Sequence, residues 1–418
     1  MTLSKSEILL LSSWMIGAVF LSACNKAQQT HSQNSTNSPI SNIWGKAITK
    51  KVAVKEFSVF IGKEGFAYNH HPQITSYKGK LLATWSSGIY NEDEPGQIML
   101  LSSSTDEGET WSNPSPIFDK QQGKYNDLVY TSEGILLRND TLFAFCGVYD
   151  YESTLEVKQD PVFPKMPEEG LLPYQKIATS AHRTELKISV DNGKTWSASK
   201  TIIKDFIPNL KPFETISGRL IIPGNMSFPY TDHSPISRKW KMSGVDGLPP
   251  NFIDAPRWFE IVQEEVKFSF QFCEASIIQL DNGTLKAFFR TNQKYLAVSE
   301  SKNNGKSWTS PKLTDFTDCG SRFEFGILPD GRYFGITCPK PKSVRTPLIL
   351  ATSEDGRLFN KHFILGDEPA TEARISGRWK YGRYGYPSFH FKDGKMYVIY
   401  SNNKEDIQLF RFSIAELN

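Results

Sequence analysis

Charge of one sign is missing from this 418-residue sequence: 48 Lys and Arg stand against 45 Asp and Glu, a net charge of +3. Such balance removes the basic footprint of a nucleic-acid binder. Long apolar runs are scarce, and a mean hydropathy of −0.40 argues against a multi-pass membrane protein. Cysteine is rare, five in all with no CxxC pair, which excludes a zinc knuckle. The 29 Gly and 24 Pro are an average share, so collagen-like and low-complexity classes drop out. No helical apolar period of useful length runs through the body, so the class is all-β. Aromatics are abundant, at 13% with nine Trp and 28 Phe. Their faces suit sheet cores and also sugar rings.

Residues 1–24 read as an export signal. Lys5 supplies positive charge, Ile8 to Phe20 form a short apolar run, and Leu21-Ser22-Ala23-Cys24 follows. That ending resembles a bacterial lipobox, which implies lipidation of Cys24, attachment to a membrane through acyl chains alone, and a place on the outer membrane, cell surface or periplasmic side. Residues 25–44 are rich in Gln, Asn, Ser and Thr and read as a polar tether. The body, 45–418, is expected to be one domain. Of its four cysteines, Cys146, Cys273, Cys319 and Cys338, the last two are the pair best placed for a disulfide, and buried free thiols are the alternative.

One octapeptide recurs. It reads Ser104-Thr105-Asp106-Glu107-Gly108-Glu109-Thr110-Trp111 and returns at Ser189-Val190-Asp191-Asn192-Gly193-Lys194-Thr195-Trp196. A looser copy spans Ser301 to Trp308, and a degraded one spans Thr352 to Phe359. An Asp or Asn side chain bonds nearby backbone N–H groups and Gly supplies positive φ, so the unit is a self-stabilised turn. Hairpin signals also repeat, at Tyr77–Leu81, Arg138–Asp140, Ser217–Arg219, Leu280–Leu285, Leu328–Arg332 and Lys392–Gly394. Four-stranded antiparallel sheets arranged radially account for that spacing. The final strand, Gln408 to Ile414, is expected to pair with one near Val52–Phe60 and close the ring, which removes exposed sheet edges.

The S-x-D-x-G-x-T-W element resembles the Asp-box of sialidase-like β-propellers. The resemblance covers most of residues 50–418 and implies a six- or seven-bladed β-propeller. In that superfamily the Asp-boxes lie away from the active face, so the chemistry has to come from other residues.

The first blade opens on Asn69-His70-His71-Pro72 and runs to Glu92-Asp93-Glu94-Pro95-Gly96-Gln97. Sialidases carry an Arg-Ile-Pro-like element at the comparable place, whose Arg grips a sugar carboxylate; here that Arg is absent. With its paired His, the segment resembles the propeller ulvan lyases and a related propeller α-L-rhamnosidase, which implies a rhamnose- and uronate-containing polysaccharide as substrate. Those lyases use a second His about twenty residues on, where this chain has Tyr90 and Asn91. Neighbours in a strand face opposite ways, so one of His70 and His71 is expected to face the cleft and to act as acid or base. Asn69 would neutralise a carboxylate, and Tyr125 and Tyr174 are further aromatic candidates. Glu92, Asp93 and Glu94 would serve hydrolysis, which needs paired carboxyls.

Later blades supply Glu274, Arg290, Arg322, Arg345 and Arg383 for an anionic substrate. Glu274 followed by Arg290 is similar to a sialidase pattern, and Tyr386 resembles the sialidase nucleophile that a Glu activates. Three functions follow: degradation of an anionic polysaccharide by His-assisted β-elimination or by hydrolysis, an exo-sialidase with an altered clamp, or a non-catalytic glycan-binding propeller. None requires a cofactor. No metal-ligand set stands out, and a structural divalent cation near the ring closure stays open, although no EF-type loop is present.

Overall fold

In a computed structural model, residues 44–151 and 182–418 are described, apart from 233–235, 237–238, 246–256, 264–265, 292, 342–343 and 378–379. Cys24, where lipidation is expected, most of the expected tether and Tyr174 therefore lie outside the described residues. Six sheets follow one another along the chain. The first holds Tyr68–Tyr77, Lys80–Gly88, Ile98–Ser104 and Ser115–Phe118. The second holds Val129–Arg138, Thr141–Tyr149, Arg183–Ser189 and Lys200–Lys204. The third is reduced to three two-residue strands, Phe213–Glu214, Leu220–Ile221 and Tyr230–Thr231.

The fourth sheet, Val266–Gln279 through Lys312–Thr317, gains an extra strand, Arg257–Gln263. The fifth runs from Glu324–Ile327 to Phe359–Gly366 and gains Trp44–Lys51, which pairs parallel with its last strand. Trp44 stacks on His362 there, 3.8 Å between ring centroids. The sixth sheet is Gly385–Lys392, Lys395–Asn402 and Asp406–Ser413, completed by Lys55–Phe60. That last pairing is antiparallel, with Lys55 opposite Arg411 and Phe57 opposite Leu409. Ring closure by the two chain regions is thus as expected.

A separate hydrophobic cluster fills each gap between neighbouring sheets. Leu142 and Met99 lie between the first and second, Phe145 and Leu220 between the second and third, and Phe228 and Phe289 between the third and fourth. Phe288 stacks on Phe325 between the fourth and fifth, and Phe334 meets Met396 between the fifth and sixth. Trp85 and Leu409 join the sixth to the first. Aromatic and β-branched side chains on both faces of each sheet produce this; a β-sheet buried on two faces reads as near-continuous apolar sequence.

The repeated octapeptides are the turns before the outermost strands. Asp106 Oδ1 accepts from the Ser104 hydroxyl at 2.7 Å and the Thr110 N–H at 3.0 Å, and Oδ2 from the Thr110 hydroxyl. The Asp191 copy repeats these bonds. Gly108 needs its φ of +86°, and a Cβ there would run into Leu409 of the neighbouring sheet. The turn is therefore also a packing device. Hydrogen bonds to the charged form hold the Asp106 and Asp191 carboxyls down at about 2. Asn303 makes the neutral version: its Oδ1 accepts from Ser301 and the Ser307 N–H, and its Nδ2 donates to the Ser307 hydroxyl at 2.8 Å.

A carboxyl with a lowered folded-state pKa stabilises above its unfolded value of about 3.9 and loses that contribution as pH falls toward the folded value. The double variant Asp106→Asn, Asp191→Asn should therefore melt slightly lower than wild type at pH 7 but lose less stability between about pH 4 and pH 2. Parallel thermal melts across that window test it, and identical acid slopes would contradict it.

Candidate functional site

The first strands of the sheets converge at the centre, where Tyr68–Tyr77 touches both Val129–Arg138 and Gly385–Lys392. Four of these inner strands break register at the same end: between His70 and Gln73, Ser132 and Ile135, Cys273 and Ala275, and Gly385 and Ser388. At each break sits a residue of positive φ: His71 at +53°, Gly134 at +90°, Glu274 at +31° and Tyr386 at +53°. Bulges re-aim side chains, and non-Gly residues in this region mark stored strain. The expectation that only one of His70 and His71 would face the site is overturned. The bulge turns both toward Tyr386, with ring centroids 4.1 Å away for His70 and 5.1 Å for His71.

Tyr386 is the hub. Its hydroxyl donates a short hydrogen bond to Glu274 Oε1. Arg290 Nη1 donates to Glu274 Oε2 at 2.7 Å and approaches the Tyr386 hydroxyl at 3.4 Å. The guanidiniums of Arg322 and Arg345 lie 4.7 and 5.3 Å from the Tyr386 ring centroid. Burial would raise the Glu274 carboxyl, but Arg290, the Tyr386 hydroxyl and Arg322 together hold it below its usual value. Burial and the Glu274 charge push the Tyr386 hydroxyl well up. At neutral pH this is a neutral phenol beside an ionised carboxylate.

The imidazoles form the adjoining wall. His70 is fully buried, with Nδ1 2.6 Å from the Ser401 hydroxyl; His71 is partly exposed, with Nδ1 3.1 Å from the Ser86 hydroxyl. Burial, then the neighbouring His71, Lys404, Arg345 and Arg322, hold His70 well below the usual imidazole value. Burial and the cations Arg322, Lys404 and Arg345 do the same to His71. Both rings are neutral near pH 7. Gly385 makes room here, because a Cβ would come within 2.8 Å of Arg345 Nη1 and 3.2 Å of His70 Cε1.

Glu92 closes the wall, with Oε2 in a short ion pair to Lys404 Nζ and Oε1 3.5 Å from the Tyr68 hydroxyl. Beside it Asp93 has a buried Oδ1 without a partner, and burial with the Glu92 charge pushes its carboxyl up to about 7. Glu94 instead caps its own loop, accepting from the Tyr90 and Asn91 N–H groups.

Several expected site residues are structural. Asn69 is fully buried and committed: Nδ2 donates to Phe66 O and Glu405 O, and Oδ1 accepts from Trp85 Nε1 and the Ser87 hydroxyl. Arg383 turns to Glu56 at 3.5 Å and packs on Tyr384, away from the cluster. Arg322 is 2% exposed and donates to Asn209 O at 2.7 Å; it supplies charge beneath the ring rather than a contact surface. Tyr125 pairs with the Lys124 ammonium on an exposed loop. All four cysteines of the body are free thiols, and Cys319 N–H bonds to Cys338 O at 3.0 Å.

Other contributors were not anticipated. Glu133 is buried 3.8 Å from Arg322, and burial pushes its carboxyl well up. Asp318 is 1% exposed and pushed up to about 7 by burial, against the pull of Arg290. The charged turn Asn403–Asp406 is buried: Lys404 is 4% exposed and Glu405 2%. Glu405 accepts the N–H groups of Arg374 and Ile375. Burial of that many charges is tolerable where they are paired, as Lys404 is with Glu92 and Lys380 with Glu405. The sequence signal was available for Glu133, since a Glu-Gly pair inside an apolar strand marks a bulge.

A family model described as a BNR repeat-like domain matches residues 79–398. No curated protein matches the chain by sequence. Among solved structures, a Trypanosoma rangeli sialidase mutant displaying trans-sialidase activity is similar at 15% identity and a TM-score of 0.59, covering 88% of this chain. The chain spans 60% of that protein's length. A protein of unknown function from Dyadobacter fermentans has 15% identity and a TM-score of 0.60, covering 86% of this chain and 99% of its own. The K499G mutant of NanB sialidase from Streptococcus pneumoniae has 13% identity and a TM-score of 0.60, covering 87% of this chain and 71% of its own. At these identities the likeness is one of fold.

Since Asn69 holds four buried partners, Asn69→Ala should cost at least about 2 kcal/mol of stability, read as a lower urea midpoint. A ligand-contacting Asn would leave that midpoint unchanged.

Proposed function

The chain belongs to the BNR repeat-like domain family, and from that membership and its central cluster we propose that it is a carbohydrate-active enzyme that hydrolyses an anionic glycan. The observation that carries the proposal is the Tyr386 hydroxyl bonded to Glu274, with Arg290 holding that carboxylate ionised. In this reading Glu274 takes the phenolic proton as Tyr386 attacks the anomeric carbon. A neutral phenol meets no repulsion from a substrate carboxylate, which a carboxylate nucleophile would. Arg290, 28% exposed at its side chain, and Arg345, whose buried Nη1 has no partner among the described residues, attract the anion. Asp93, whose Oδ1 carries no other hydrogen bond, supplies the proton for the departing oxygen, then removes one from the water that releases the sugar.

Elimination from a uronate is the second reading, and the placement of both imidazoles against Tyr386 supports it. Its weakness is physical, since imidazoles held well below their usual pKa are weak bases. An altered-clamp sialidase remains a special case of the hydrolytic reading, with sialic acid as the anionic sugar.

The test offers the full chain a rhamnose–uronate polysaccharide and a sialoside in parallel. Free reducing sugar without ultraviolet absorbance, lowered by a factor of about 10³ or more in Tyr386→Phe and Glu274→Gln, is the expected result. Absorbance from unsaturated uronate would instead establish elimination. Glycan binding with no turnover, unchanged in Tyr386→Phe, would leave a binding propeller.

We propose further that Cys24 carries the chain to a membrane surface. Wild type should then partition with detergent and Cys24→Ser with the aqueous phase; equal partitioning would remove the anchor.

A further inference from the structure

We propose that His70, His71 and Glu92 form a binding site for a zinc-class divalent metal ion. One ligand atom from each residue lies within 4.8 Å of the others. At metal–ligand bonds of about 2.0–2.2 Å, ligands on a shared ion sit up to about 4 Å apart, so only a small closure is needed. Two nitrogens and one oxygen form the three-ligand set of open zinc sites.

The hydrogen bonds around the imidazoles make the case. The Ser401 hydroxyl donates to Gly385 O at 3.3 Å, so its bond with His70 is one in which Nδ1–H donates and Ser401 Oγ accepts. The His70 proton is then on Nδ1, and Nε2 is a bare lone pair, buried and without a partner among the described residues. A buried acceptor left unsatisfied is costly, and a metal ion satisfies it. On His71 the bond to the Ser86 hydroxyl occupies Nδ1, leaving Nε2 as its ligand atom. A hydrogen bond on the far nitrogen is how metal-ligating imidazoles are oriented.

Glu92 keeps Lys404 on Oε2, and its Oε1 is engaged only by the long contact from Tyr68. Lys404, Arg322 and Arg345 surround the imidazoles. Those cations weaken the hold on any dication alike, and the ligand set makes the choice: a single carboxylate does not suit calcium or magnesium, which take mainly oxygen ligands. The set leaves ions that bind through neutral nitrogen. The site does not depend on the hydrolytic reading.

The full chain, freed of metal by chelator, is titrated with Co2+ as the spectroscopic stand-in and then with Zn2+. One equivalent of Co2+ should bind with visible d–d absorption and be displaced by Zn2+. His71→Ala should abolish that spectrum, Glu92→Gln should weaken binding, and Ser401→Ala should weaken it by about 10–100-fold. His390→Ala, whose ring bonds Ser76 away from the cluster, should bind as wild type does. Circular dichroism in metal-free buffer confirms that each variant is folded, and Glu92→Gln, which keeps the side-chain shape, serves if His71→Ala is not. No uptake by wild type, or uptake unchanged in the folded His71→Ala or Glu92→Gln variant, overturns the proposal.

Discussion

Ring closure is the constraint on which the rest of this molecule depends. The Lys55–Phe60 strand reaches across the whole chain to complete the sheet ended by Asp406–Ser413. The sixth sheet packs directly against the first, with Gly385–Lys392 and Lys395–Asn402 both touching Tyr68–Tyr77. Tyr386 and Lys404 belong to the sixth sheet, while His70, His71 and Glu92 belong to the first and its loop. The contacts of Tyr386 with the imidazoles and of Lys404 with Glu92 therefore exist only in the closed ring. The added strand also covers the edge that Asp406–Ser413 would otherwise expose. Stability and site assembly are one event here, since a local opening at the joint would expose the apolar Trp85–Leu409 cluster and dismantle the site together.

Within the ring, the bulges convert a scaffold into a site. A regular strand would send alternate residues into the two cores on either side of each sheet. The breaks at His71, Gly134, Glu274 and Tyr386 suspend that alternation at one end of four inner strands. Three of the four residues are not glycine, so the positive φ costs energy that the surrounding contacts must offset. Those contacts are present: Tyr386 and Glu274 hold each other by a short hydrogen bond, and Glu274 N–H is fixed by Asn225 Oδ1 at 2.9 Å.

The fold was legible in the sequence because its signals are local. The Asp106, Asp191 and Asn303 turns and the glycine hairpins are complete within eight residues, and their hydrogen bonds match the expected pattern. The site was legible in part. His70, His71, Glu92, Glu274, Arg290, Arg345 and Tyr386 do converge, since chemistry-bearing residues at strand starts are few. What alternation concealed was the direction of His71, because a bulge is set by tertiary fit and not by residue type. Asn69 and Arg383 misled for a related reason. A polar side chain at a strand start can satisfy buried backbone as readily as it can meet a ligand, and only the partners distinguish the two. Lys404 and Glu405 sit in a charged stretch of sequence that carries no signal of burial, yet ring closure buries them.

Charge balance then decides what this site can hold. Glu274 pairs with Arg290 and Glu92 with Lys404. Arg322 and Arg345 are left with Glu133, 3.8 Å from Arg322, whose carboxyl burial pushes well up. Asp93 and Asp318, pushed up to about 7, add only partial negative charge near neutral pH, so Arg322 and Arg345 stand without full counter-charges close to a phenol and two neutral imidazoles. In a medium of low dielectric such uncompensated charge is costly unless an anion arrives. An anionic group entering the cluster, as the proposed function requires, would relieve it. Where sialidases, whose fold this chain resembles, carry a carboxylate-gripping Arg, this chain has neutral imidazoles, which lowers the positive charge by one and presents lone pairs where a fixed cation would otherwise stand.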